Sequence, residues 1–199
     1  APTIMITEGY ERPANRIYEL ANLLKGNQIQ VEHRYFGKSV PDSMEYKYLT
    51  LENVTADLHK INQLFRSIHD NDFISTGISK GGQTTIFYRY FYPNDVDVSV
   101  PYVAPLNTSL EDKRIYEFLQ NIGTEECRMK IKKLQKRLLK DRSTYLEKLK
   151  WYVKGTGNHF TYLNLEQAYE YAVLEYSFSF WQWGSNCDDI PDTDAPEDN

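Results

Sequence analysis

The amino-acid sequence predicts an α/β fold with parallel strands, on three observations. Short β-branched runs alternate with stretches whose apolar residues recur at helical spacing, from the first residues to Pro105. The connections between successive strands are too long for hairpins, which favours parallel pairing in a doubly wound sheet. A Gly-x-Ser-x-Gly pentapeptide, Gly77 to Gly81, falls where a strand gives way to a helix.

Thr3–Thr7 (TIMIT) reads as a buried strand closed by Glu8 and Gly9. Arg16 to Lys25 repeats its apolar residues at helical spacing, and Gln28 to Tyr35 is a second strand stopped by Gly37, Lys38, Ser39 and Pro41. Leu51, Val54, Leu58, Ile61, Leu64, Phe65 and Ile68 step by three or four, so Leu51 to Ile68 is an amphipathic helix. Phe73 to Gly77 (FISTG) is the third strand, Gly81 to Tyr92 a short aromatic helix ended by Pro93 and Asn94, and Val96 to Val103 the fourth strand.

After Pro105 the pattern turns helical. Glu111 to Leu119, Thr124 to Leu139, Thr144 to Val153 and Leu165 to Phe178 are predicted helices, with Thr124 and Asn164 as N-caps. Asp188 to Asn199 (DDIPDTDAPEDN) has the composition of an exposed acidic tail. The expected organisation is therefore an α/β core over 1–107, a helical block over 108–187 and an acidic tail or linker over 188–199.

Composition excludes several functions. The net charge of -5 at pH 7 provides no global basic field, which argues against nucleic acid as a partner. Eleven of the 23 Lys and Arg residues lie between Arg128 and Lys154, interleaved with Met129, Ile131, Leu134 and Leu138. They read as the solvated face of amphipathic helices. No apolar run approaches the roughly 18 residues a membrane-spanning helix needs, so no transmembrane segment is expected. Cys127 and Cys187 are too few for a disulfide scaffold or a four-ligand zinc site, and leave open one bridge or two free thiols.

The chemistry concentrates at Gly77-Ile78-Ser79-Lys80-Gly81. Small residues on both sides of a serine permit a sharp strand-to-helix turn that lifts the hydroxyl above the sheet. The bland alternative is a glycine-rich turn whose serine caps the helix. A nucleophilic serine needs two donors for the developing oxyanion. Lys80 N–H is the first, and Gly9 or Tyr10, in the turn after the neighbouring strand, offers the second. Such a serine also needs a base, conventionally a histidine later in the chain. His159 is the one histidine that follows the elbow, and its glycine-rich surroundings are as well explained by a surface loop. His33, His59 and His69 precede the elbow and read as structural.

The segments TEGY (Thr7 to Tyr10), EHRYFGKSVP (Glu32 to Pro41), YLT (Tyr48 to Thr50), TGISKGGQT (Thr76 to Thr84), DVDVSVPYVAP (Asp95 to Pro105) and VLEYSFSFWQWG (Val173 to Gly184) together resemble the secreted tripeptidyl aminopeptidase family of serine peptidases. That family is related to the prolyl carboxypeptidase and dipeptidyl peptidase II group. Lys80, where the sister group usually has an aromatic residue, favours the tripeptidyl branch.

The resemblance implies a partial α/β-hydrolase sheet with an inserted helical cap, and Ser79 as nucleophile of a Ser-Asp-His triad acting on peptides through an acyl-enzyme. It implies neither metal nor cofactor. The triad Asp and His would come from strands after the cap, so the chain reads as an N-terminal fragment of a longer, secreted or periplasmic polypeptide. The missing C-terminal part, or a second copy paired at the exposed sheet edge, would then be its partner. An aminopeptidase also needs a carboxylate for the substrate's terminal ammonium, and Glu8, Glu32 and Glu175 beside the matched motifs are the candidates. Arg34 is alternatively a structural partner of Glu32. Tyr176, Phe178, Phe180, Trp181 and Trp183 either line the substrate pocket or pack the cap. An esterase or lipase of the same fold, or a catalytically silent binding domain, are the competing functions.

Overall fold

A computed structural model describes residues 1–12 and 14–191. Its residues group into two compact units, one over Ala1–Thr108 and one beginning at Ser109.

The first unit is built on a four-stranded, all-parallel sheet in the order β2-β1-β3-β4. β1 (Thr3–Thr7) is central and buried throughout, as its unbroken β-branched and apolar sequence requires. It pairs with β2 (Asn27–Val31) from Thr3↔Asn27 to Thr7↔Val31, and with β3 (Phe73–Ile78) from Thr3↔Phe73 to Ile6↔Thr76. β4 (Val98–Tyr102) extends the sheet beyond β3. Helices cover both faces. On one, Ile4, Ile6 and Ile74 pack against Ala21 of α1 (Glu19–Leu24). On the other, Met5, Val31 and Phe73 pack with Leu58 of α2 (Leu51–Arg66) and Tyr88 of α3 (Lys80–Phe91).

α1, β2 and β4 are each at least three residues shorter than the sequence predicts. α1 starts at Glu19 because Tyr18 is extended and gives its N–H to Gln28 Oε1 at 2.8 Å. β2 stops at Val31, opposite the last residue of β1, and the chain then turns through positive φ at Tyr35 and Gly37. Arg34, expected beside Glu32, instead forms a two-pronged ion pair with Asp57 of α2, Nε–Oδ2 2.7 Å and Nη2–Oδ1 2.8 Å. Planar fork-to-carboxylate geometry selects that partner and ties the loop after β2 to α2.

The second unit consists of α4 (Lys113–Asn121), α5 (Glu125–Lys140), α6 (Arg142–Thr156) and α7 (Leu165–Gln182). Thr124 Oγ1 accepts from Cys127 N–H, and Asn164 forms a reciprocal capping box with Gln167, so both predicted caps are present. Cys127 and Cys187 are bridged, with Cα atoms 5.5 Å apart. Around the bridge lie Ile131, Leu134, Phe180 and Ile190, with Tyr176 and Trp181 packed against them. These three aromatics therefore pack the unit's own core, while Trp183 is exposed. Ile190 is buried too, so the region expected to be a tail from Asp188 begins inside this core; 192–199 of that region lie outside the described residues. None of the described helices is long and apolar enough to cross a membrane.

Candidate active site

Ser79 joins β3 to α3 with φ 56° and ψ -119°, a conformation that side chains other than glycine's rarely adopt. Its N–H bonds Tyr102 O on β4 at 3.0 Å, and its carbonyl accepts Gln83 N–H at 2.9 Å. The hydroxyl makes no capping bond to the helix, contrary to the bland reading of the turn. Ser79 is exposed, whereas Gly77, Gly81 and Gly82 around it are buried. The strain is held by the packing beneath it. A methyl on Gly77 would sit 2.4 Å from Gly81 C and 2.6 Å from Thr7 O; one on Gly81 would sit 2.4 Å from Thr7 O. Thr7 Oγ1 donates to the Gly81 carbonyl at 2.9 Å and contacts Thr85 Oγ1 at 2.6 Å, locking the end of β1 to the first turn of α3.

The Glu8-Gly9-Tyr10 turn lies directly against this elbow. A methyl on Gly9 would meet Lys80 Cβ at 2.6 Å and Gly81 N at 2.7 Å, so glycine is required by close approach. Among the described residues, neither the Gly9 nor the Tyr10 N–H has a hydrogen-bond partner. The Lys80 N–H, at the first helical position, has no intrahelical acceptor. Three unpaired donors thus come from two adjoining turns beside an exposed hydroxyl, which is the donor set an oxyanion needs.

His33, read as structural in the sequence, is drawn to the same place by the turn after β2. Its Nδ1 donates to Arg34 O at 2.7 Å, and its Nε2 lies 3.2 Å from Lys80 Nζ. Both ring nitrogens are therefore engaged. Burial, above all, holds its pKa below the ordinary value, with the Lys80 charge adding to the effect. The sequence signal for this residue is its place toward the C-terminal end of the predicted second strand, which the structure ends at Val31. Nothing in the sequence disclosed its partner.

The candidate carboxylates differ in what occupies them. Glu8 Oε1 accepts from the Tyr18 hydroxyl and from Gln30 Nε2 at 2.9 Å. Glu32 closes its own loop, accepting from Arg12 N–H, Lys38 N–H and Ser39 Oγ; these bonds, the first foremost, hold its pKa below the ordinary value. Glu175, on α7 in the second unit, accepts from Ser179 Oγ. His159 lies in the second unit, exposed, between α6 and α7. Among the described residues of the first unit, the His–Asp pair, His59 Nδ1 to Asp95 Oδ2 at 2.7 Å, stands at the C-terminal end of α3, a helix of about 18 Å, and not at its Ser79 end. It is completed by the Tyr88 hydroxyl and stacked on Tyr92. An apolar cavity of about 260 Å³ beside the elbow is lined by Tyr18, Leu20, Ile78, Tyr102 and Val103 among others.

The PS-10 peptidase S37 family model matches residues 1–199. The prolyl tri/tetrapeptidyl aminopeptidase of Streptomyces mobaraensis is 32% identical over 202 residues, covering 99% of the chain and 42% of that relative. The lysosomal Pro-X carboxypeptidases of Bos taurus and Homo sapiens are each 32% identical over 101 residues, 45% of the chain and 20% of the relative. The chain thus spans about two fifths of the first relative's length and matches one fifth of the others.

Proposed function

Because the chain belongs to the PS-10 peptidase S37 family, we propose that it supplies the nucleophile and oxyanion hole of a serine exopeptidase, with Ser79 as the attacking group. The observation that carries this reading is the uncapped, exposed Ser79 hydroxyl on a turn at φ 56°, next to a helix start and an adjoining turn whose Lys80, Gly9 and Tyr10 N–H groups have no partner among the described residues. A strained backbone at a conspicuous side chain is stored at functional sites more often than elsewhere.

Ser79 Oγ attacks the scissile carbonyl and passes its proton to a base. The carbonyl oxygen becomes an oxyanion held by Lys80 N–H and by the Gly9-Tyr10 turn. Collapse expels the amine and leaves an acyl-enzyme, which water then hydrolyses. His33 does not serve as the base, because both of its nitrogens are committed. We assign the Asp and His of the triad to polypeptide outside this chain, in keeping with the 42% of the Streptomyces relative that it spans. Glu8, part-buried and adjacent to Gly9, is the carboxylate we assign to the free N-terminus of a peptide substrate. Proline in the names of both groups of relatives supports a prolyl preference. The bridge between Cys127 and Cys187 supports a secreted or periplasmic location.

The test is fluorophosphonate labelling followed by intact mass and peptide mapping, on the 199-residue chain and on the longest natural form of the polypeptide, with Ser79→Ala as control. An adduct on Ser79 of the longer form, absent from the control, is expected. Absence of that adduct from the longer form would sink the peptidase reading. Tripeptide anilides assayed beside p-nitrophenyl esters separate peptidase from esterase.

A further inference from the structure

Lys80 carries more than a backbone donor. Its ammonium is partly buried, and among the described residues it makes no ion pair. It donates to the Gly9 carbonyl oxygen and lies 3.2 Å from His33 Nε2. Because His33 Nδ1 faces a carbonyl and must hold the ring proton, Nε2 is a lone pair and accepts from Lys80. The remaining surroundings are the faces of Tyr10 and Phe36, each with its centroid 5.1 Å from Nζ, and these rings meet edge to face at 5.3 Å. A side chain that only solubilised the helix terminus would extend into water. This one is folded back over the elbow onto one peptide group.

That peptide links Gly9 to Tyr10. In a trans peptide the C=O and N–H point in opposite directions, so a cation fixed on the Gly9 oxygen fixes the direction of the Tyr10 N–H. It also polarises the amide, strengthening the N–H as a donor. We propose that the Lys80 ammonium is a positioning residue for the oxyanion hole: its own N–H is one donor, and its side chain clamps the Gly9–Tyr10 peptide so that Tyr10 N–H is the other. This assignment rests on the serine peptidase reading and deepens it, choosing Tyr10 over Gly9 as the second donor. Lys80 Nζ is not the base for Ser79, since its directed bonds go to Gly9 O and His33 Nε2. His33 and the two rings keep the ammonium on its target.

The experiment replaces the charge while keeping the shape. In the polypeptide that shows the Ser79 adduct, Lys80→Cys is alkylated either to the aminoethyl thioether, which restores the ammonium, or to the propyl thioether, its neutral isostere. Both come from one folded preparation and retain the backbone N–H at this position. Loss of an oxyanion donor costs about 10²-fold or more in turnover. The propyl form is expected to lose about that much in kcat and in phosphonylation rate with KM unchanged, and the aminoethyl form to recover most of it. In nitrogen-15-labelled 199-residue chain, the Tyr10 amide resonance should move between the two thioethers. Equal rates for both forms, whether fast or slow, or an unmoved Tyr10 amide, would overturn the clamp. Failure of the unsubstituted polypeptide to label at Ser79 would overturn the peptidase reading itself, and the clamp with it; labelling that is indifferent to the charge overturns the clamp alone.

Discussion

Ser79 gives up backbone comfort for presentation. Its φ of 56° costs about 1–3 kcal/mol for a residue with a side chain, whereas glycine enters that region freely. Ser79→Gly should therefore stabilise the chain by about 1 kcal/mol, because the relieved strain exceeds the roughly 0.5–1 kcal/mol of extra unfolded-chain entropy. Tm should rise by about 2–4 °C, while labelling at this position is lost; a fall in Tm would mean the turn is unstrained. His33 makes a second prediction, on pH. Burial lowers its folded pKa below the ordinary value of about 6.5. The facing Lys80 and Arg34 charges reinforce this, and the bond to Arg34 O and the Asp57 charge oppose it. The unfolded chain then binds the proton more readily, so the contribution of His33 is complete above pH 6.5 and is lost as pH falls through that value toward the lowered one. Urea midpoints measured across this window should decline on acidification, and the decline should flatten in His33→Gln. Glu8→Gln is expected to raise KM for peptides with a free N-terminus and leave N-acetylated ones unaffected; an equal rise for both would remove Glu8 from ammonium binding.

At the level of elements, the elbow holds because β1, β3 and α3 approach each other at glycines. Gly77→Ala would push a methyl to 2.4 Å from Gly81 C and 2.6 Å from Thr7 O, contacts with backbone that cannot swing aside. Overpacking of this kind costs about 1–3 kcal/mol, to be read as a lower urea midpoint with an unchanged slope. In the second unit, Thr124→Ala removes the acceptor for Cys127 N–H and should cost about 1 kcal/mol. These features were legible in the sequence because they are local. Glycine spacing, cap residues and apolar periodicity are properties of neighbouring residues, and α2, α3, α5 and α7 lie within a few residues of their predicted bounds. Pairings across the fold were not legible. Arg34 finds Asp57 rather than Glu32, and His33 finds Lys80, because partners far apart in sequence are chosen by how strands and loops are stacked. For the same reason the unpaired N–H groups of the Gly9-Tyr10 turn could be named as candidates, but the side chain that grips that turn could not.

On the scale of the whole molecule, each of the two units is compact in itself, and they are held by different means. The first has a parallel sheet with helices on both faces. The second has modest apolar clusters, one of them gathered around the Cys127–Cys187 bridge, and many of its aromatic residues, among them Trp151, Tyr162 and Trp183, are exposed. A crosslink between residues separated by 60 positions restricts the unfolded chain by about 4 kcal/mol on the loop-entropy account, a large fraction of what a small helical unit retains. Reduction should therefore act locally. Under a reductant that opens the bridge, hydrogen exchange followed by mass spectrometry should show protection collapsing in α5 and around Ile190, whose side chains pack against the cystine. Peptides from β1, β3 and α3 should keep their protection, since Thr7, Gly77 and Gly81 fasten them to one another without it. If the elbow loses protection in step with α5, the units fold as one cooperative body and the bridge supports Ser79 as well. If α5 is indifferent to reduction, the apolar cluster around the cystine is sufficient by itself.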